Sequence, residues 1–247
     1  MRPNWELRHC CNHEQVVFLV TVSVCAVVIL ALWRTVLLRP FKLVTVFLHE
    51  ASHAIACKLT CGHVEEFRFM QMKVEPLKHV VAYTDLGSSF WGMVLILAST
   101  NLLTARIAAG CFIASLLVML LVAQNICIII LFFFNHLNSG LFEDFALLHV
   151  ELPGFVLFLG VVWVLQETTK IHILRYIILF IGVMNSLFSV YDIYDDLISR
   201  RVHSSDAEKF AEACPCPCNG AGWGFIWGVI SFLFLCGAMY LGLVILS

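Results

Sequence analysis

The chain has 247 residues, of which 61% are hydrophobic and only 13% are charged, and its mean hydropathy is +0.92. Soluble globular chains are about half apolar and about a quarter charged, so a soluble enzyme and a disordered chain are excluded. The 15 Lys and Arg against 17 Asp and Glu leave no basic excess to neutralise nucleic-acid phosphates, which excludes a nucleic-acid partner. The composition predicts a polytopic protein in a lipid bilayer.

Apolar runs long enough for helices follow one another along the chain. A helix needs about 20 mostly apolar residues to cross a bilayer. Together with the motif helix at 43–58, these runs predict an all-α, multi-pass integral membrane domain over 1–247, with about six or seven transmembrane helices. The other predicted helices lie at 16–38, 87–101, 108–134, 154–165, 173–190 and 223–246.

Residues 49–53 read His-Glu-x-x-His within the apolar segment 43–58. On a helix, His49 and His53 are one turn apart and point about 40° from one another, so both can bind one zinc ion. Glu50 lies beside them and is the expected general base, which takes a proton from water in metallopeptidases with this motif. Ionisable groups in a membrane helix cost about 2.5–3.5 kcal/mol each and usually face an interior site. The alternative is an interfacial segment whose polar side chains only face water.

Two further segments are too polar to face lipid. Residues 62–85 alternate apolar and polar side chains, which predicts a small β-hairpin after the motif helix. Residues 192–213 form an acidic segment followed by a short amphipathic helix, which begins at a capping box in 205–208. The cysteines that follow fit either a second zinc site or reversible acylation near a membrane: Cys214, Cys216 and Cys218.

A catalytic zinc ion needs a third protein ligand and an open fourth position. An acidic residue at the end of another apolar helix is the best donor, and Asp192 is the first choice. Asp195 projects from the same helical face and is the reserve, whereas Asp196 points away from Asp192 by about 40° and from Asp195 by about 100°. The alternative is that these carboxylates only mark the exit of the helix into water.

Polar amides within apolar runs usually bond to neighbouring helices, and Asn101, Gln124 and Asn125 are expected to do so. Asn185 stands apart from them because its helix leads to Asp192.

The chain resembles the site-2-protease type of intramembrane zinc metallopeptidase, in its divergent B-like branch. The resemblance rests on residues 47–54 with 60–64, and on 180–184 with 192–196 and 205–207, and it continues weakly through 223–227. In that branch a threonine-glycine-glycine turn follows the motif helix, whereas here Cys61 and His63 flank a single Gly62. Better-known relatives carry a leucine-aspartate-glycine motif for the third ligand. Because this chain lacks that tripeptide, the choice among the aspartates stays open.

The resemblance implies a zinc endopeptidase that cuts within or near transmembrane segments of membrane-protein substrates. In this interpretation His49, His53 and Asp192 or Asp195 bind the metal and Glu50 is catalytic. The alternative is a non-catalytic zinc-binding membrane scaffold or chaperone of peptidase ancestry. A transporter is disfavoured because the sequence shows no inverted repeat.

Overall fold

The computed structural model describes residues 12–59, 84–133, 139–169, 172–194, 211 and 219–247. Within these residues the chain is helical and no strand is present. A short 3₁₀ turn, Val36–Leu38, precedes the second of the α-helices. In chain order, the α-helices are α1 (His13–Leu32), α2 (Arg39–Leu59), α3 (Thr84–Ala98), α4 (Leu102–Phe133), α5 (Ser139–Thr168), α6 (Ile173–Tyr194) and α7 (Gly220–Ile245).

Local sequence explains where several helices begin. Asn12 caps α1 by accepting a hydrogen bond from the backbone N–H of Gln15 at 2.9 Å, and the Gln15 side chain accepts one from the Asn12 N–H at 3.0 Å. This reciprocal pair satisfies two N–H groups that a helix start leaves without partners. Asn219 caps α7 in a similar way. Pro40 lies in the first turn of α2, where its missing N–H costs nothing.

Helices α1 and α7 are long and apolar enough to cross a membrane, and they alone meet both criteria among the described residues. Apolar side chains on their outer faces are exposed, such as Val27 on α1 and Phe225 on α7. A helix that is apolar on all sides suits a lipid environment, because exposed apolar side chains there contact lipid chains and not water. Two candidate spans are therefore established by length and composition, and the larger number of spans stays a prediction.

The described residues of Met1–Thr100 and Leu179–Ser247 form one compact unit. Its core joins four helices through side chains that are fully buried: Ile29 of α1, Ile96 of α3, Met184 of α6 and Ala238 of α7. Helices α1 and α7 run antiparallel, because Phe18 packs where Gly242 has no side chain and Gln15 donates to the carbonyl of Leu243 at 2.9 Å.

The described residues of Asn101–Ile178 form a second unit. An ion pair links α4 to α5, with 2.8 Å between Arg106 Nη2 and Glu167 Oε1. Gln166 is buried and accepts a hydrogen bond from the backbone N–H of Leu174 at 3.1 Å, which satisfies a donor at the start of α6.

Some predicted boundaries are wrong. The helix predicted at 16–38 ends at Leu32, because Thr35 is extended (ψ 156°) and interrupts the helical backbone. The helix predicted at 154–165 begins at Ser139 and continues through Pro153. The hairpin predicted at 62–85 cannot include its last two residues, because α3 begins at Thr84. The rest of that hairpin and, apart from Ala211, the amphipathic helix after α6 lie outside the described residues.

Candidate metal centre

Helix α2 contains the whole His-Glu-x-x-His segment, so His49, Glu50 and His53 lie on helical backbone. Positions 49 and 53 are therefore one turn apart along the helix. The residues before the motif anchor this part of α2, since Val44 and Thr45 are fully buried.

His49 is partly buried and contacts the next helix. Its Nδ1 lies 3.3 Å from Oγ of Ser88, which is fully buried on α3. A neutral imidazole has one N–H donor and one acceptor nitrogen, and the contact with Ser88 uses Nδ1. Metal-ligating histidines in proteins generally use their second nitrogen in such a contact, and His49 fits this donor chemistry.

Asn185 connects α6 to the same residue of α3. Its side chain is fully buried, and its Nδ2 donates to the backbone oxygen of Ser88 at 2.6 Å. Its Oδ1 is buried and accepts no hydrogen bond from any residue in the described ranges. Hydrogen bonds to Ser88 thus join α2, α3 and α6 at one point, which we call the Ser88 junction (His49, Ser88 and Asn185).

Glycines let the three helices approach closely at the Ser88 junction. Gly87 packs directly against Ser52 of α2. A Cβ atom added at Gly92 would lie 2.8 Å from the backbone nitrogen of Ser186, and one added at Gly182 would lie 2.8 Å from that of Ile96. Real Cβ contacts are longer than this, so larger residues would force α3 and α6 apart.

A second contact connects the end of α1 to the last turns of α6. The rings of Trp33 and Tyr191 have centroids 4.3 Å apart, and Lys42 Nζ lies 4.6 Å from the centroid of the Trp33 ring. Lys42 also donates a hydrogen bond to the backbone oxygen of Trp33. These contacts fix the backbone of α6 immediately before Asp192.

The remaining expected site residues are placed only by their backbone. Glu50 and His53 are on α2 and Asp192 is on α6, but their side chains lie outside the described part of the structure, as does the whole of Asp195. Among the side chains that are described, no group of three His, Cys, Asp or Glu could hold a metal ion.

Sequence reasoning did not single out Ser88. The available signal was the run of small residues at 87–89 with Gly92 four residues after Ser88, a spacing typical of closely packed membrane helices. That pattern predicts close packing, but it does not identify which residue of another helix a serine hydroxyl reaches.

Comparison with known proteins gives a match to a protein-family model. A family model described as Peptidase M50B-like matches residues 22–73 and 83–238, which is most of the chain and includes α2 and α6. No curated protein and no solved structure shows significant similarity to the chain.

Proposed function

Since the chain belongs to the M50B-like peptidase family, we propose that it is an intramembrane zinc metalloendopeptidase that hydrolyses peptide bonds within or near transmembrane segments of membrane proteins. The observation that carries the proposal is the Ser88 junction. It engages Nδ1 of His49, the first histidine of the motif, in a partly buried position, and this contact supports zinc binding through Nε2.

In this proposal His49 and His53 bind the zinc ion and an aspartate completes the site. Zinc supplies a Lewis acid that polarises the scissile carbonyl and acidifies water. Glu50 takes a proton from the attacking water and delivers it to the leaving amine nitrogen, as general acid–base catalysis requires. The substrate backbone must be extended for attack, because a helix engages its carbonyl groups in internal hydrogen bonds.

The register of α6 supports Asp192 as the third ligand. Asp192 follows Asn185 by seven residues, or about two helical turns, which brings the two positions within about 20° on the helix. The Asn185 side chain reaches Ser88, which also contacts His49. Position 192 is therefore close to the face of α6 that contacts α3 through Asn185, which favours Asp192 as a ligand near His49. Asp195, beyond the end of α6, stays the reserve.

The two apolar helices and the family assignment support a location in the membrane. Substrates that reach the site from the bilayer would be transmembrane proteins. The segment between α2 and α3 is proposed to pair with the extended substrate by β-augmentation, which would expose the scissile bond.

Replacement of Glu50 by Gln tests the catalytic role. The amide cannot accept a proton at neutral pH, so cleavage of reconstituted single-pass substrates should fall by at least about 100-fold, the lower range for general-base catalysis. Zinc content, measured on the same purified protein, should not change. Glu14→Gln, in the first turn of α1, is the matched control and should cleave like the unmodified protein.

Cleavage that is undiminished in Glu50→Gln would refute the mechanism. Stoichiometric zinc in a protein that cleaves none of the substrates would instead support the scaffold or chaperone alternative.

A further inference from the structure

We propose that Ser88 is a positioning residue that orients the His49 imidazole for metal binding, by accepting a hydrogen bond from Nδ1–H. The inference rests on the proposed zinc site and adds to it a residue from outside the His-Glu-x-x-His motif. Ser88 touches neither the metal nor the substrate, and it acts through His49.

The contact of the Ser88 hydroxyl distinguishes it from purely structural serines. Buried serines in helices commonly bond to a carbonyl of their own helix. Ser52 Oγ donates to the carbonyl of Leu48 at 2.8 Å, and Ser99 Oγ donates to that of Ile96 at 2.6 Å. Ser88 instead reaches an imidazole on a different helix at 3.3 Å. This hydroxyl therefore contributes to a side-chain orientation and not only to its own helix.

The proposed direction of this hydrogen bond determines the tautomer of His49. When Nδ1 donates to Ser88 Oγ, the lone pair of the neutral imidazole is on Nε2, which is the pair a zinc ion needs. If the proton were on Nε2, Nδ1 would be the acceptor and the metal-binding nitrogen would be blocked. Ser88 as an acceptor therefore favours the tautomer that is competent to bind the metal, whereas a Ser88 hydroxyl that donated to Nδ1 would favour the other one.

Ser88 is also held rigidly, as a positioning residue must be. Asn185 Nδ2 donates a hydrogen bond to the backbone oxygen of Ser88 at 2.6 Å. A carbonyl oxygen has two lone pairs, so it can accept this bond in addition to the one within its helix. The close approaches at Gly87 and Gly92 leave no space for α3 to slide along α2 or α6. Because Ser88 itself is fully buried, water does not compete for its hydroxyl.

Zinc affinity of the full-length protein, measured by competition with a chelator, tests the inference. Removing an outer partner of a metal-ligating histidine typically weakens metal binding by about 10–100-fold, and Ser88→Ala should do the same. Ser99→Ala is the matched control, because it removes a buried hydroxyl that bonds within its own segment. It should retain the affinity of the unmodified protein. In the cobalt-substituted protein, Ser88→Ala should also shift the visible ligand-field bands, whereas Ser99→Ala should not.

The outcomes separate the inference from the proposed function. If the unmodified protein binds zinc and Ser88→Ala binds it equally well, the role of Ser88 is refuted and the zinc peptidase proposal stands. If the unmodified protein binds no zinc, the proposed function fails and the inference fails with it.

A second measurement reports the tautomer directly and leaves Ser88 unchanged. Nitrogen NMR of the histidine-labelled, metal-free protein reports the tautomer of His49, whose signal is assigned by its absence in His49→Asn. A proton on Nδ1 is expected. A neutral His49 with its proton on Nε2 would overturn the inference.

Discussion

Asn185 has a buried side-chain amide, and the hydrogen bond described for it connects α6 to α3. Asn185→Ala removes the donor to the Ser88 carbonyl, and interhelical hydrogen bonds in membrane proteins contribute about 1 kcal/mol. We expect the free energy of unfolding in detergent micelles to fall by about that amount. Val190→Ala, on the exposed side of the same helix, should change it by less than about 0.5 kcal/mol. Equal effects of the two substitutions would show that the amide contributes nothing specific.

At the scale of residues, the sequence predicts those features that depend only on the spacing of residues within one helix. The His-Glu-x-x-His motif could be recognised because its spacing alone decides which side chains share a helical face. The Ser88 contact could not be predicted, because it depends on the approach of α3 to α2, where Gly87 packs against Ser52. The assignment of Asp192 over Asp195 also stays a prediction, because both side chains are outside the described part.

At the scale of helices, the approach of α3 to α6 depends on glycine. A Cβ at Gly92 would meet backbone atoms of α6, at 2.8 Å from Ser186 N and 2.9 Å from Gly182 O, and these atoms cannot rotate away. Gly92→Ala should therefore destabilise the protein by about 1–3 kcal/mol, the usual cost of overpacking.

Gly237→Ala on α7 is the control for this prediction. No atom lies within 4 Å of the added Cβ at Gly237, so the substitution should be neutral or stabilise the helix by up to about 1 kcal/mol. A Gly92→Ala protein that unfolds at the same denaturant concentration as Gly237→Ala would contradict the close packing of α3 and α6.

The positions of the helices were easier to predict than their ends. Runs of apolar residues locate helices in a membrane chain because a helix satisfies all its backbone hydrogen bonds within one segment. The first half of α5 was missed because Glu143, Asp144 and Glu151 interrupt its apolar pattern and Pro153 usually ends a helix. The end of α1 was missed because Thr35 leaves the helical conformation within an otherwise apolar run.

At the scale of the whole molecule, the start of α1 and the end of α7 lie together. Asn12 Nδ2 donates to the carbonyl of Leu246 at 2.9 Å, and Gln15 Nε2 donates to that of Leu243 at 2.9 Å. If α1 and α7 cross a membrane, these two ends are on the same side of it. Epitope tags placed before Asn12 and after Ser247 should show the same protease accessibility in sealed vesicles.

A tag inserted at Thr35, beyond the other end of α1, is the internal control and should be accessible from the opposite side. Tags before Asn12 and after Ser247 that are cleaved from different sides would contradict the antiparallel pair. If they are cleaved from one side, the chain crosses the bilayer an even number of times between them.

Ser88 makes its two links through different parts of the residue. The link to His49 uses the hydroxyl, whereas the link to Asn185 uses the backbone oxygen, which every amino acid supplies. A change of residue type at position 88 can therefore abolish the first link and preserve the second. A relative with alanine at this position is expected to keep its helices assembled while binding the metal about 10–100-fold more weakly, so a single substitution could change metal affinity without changing the fold.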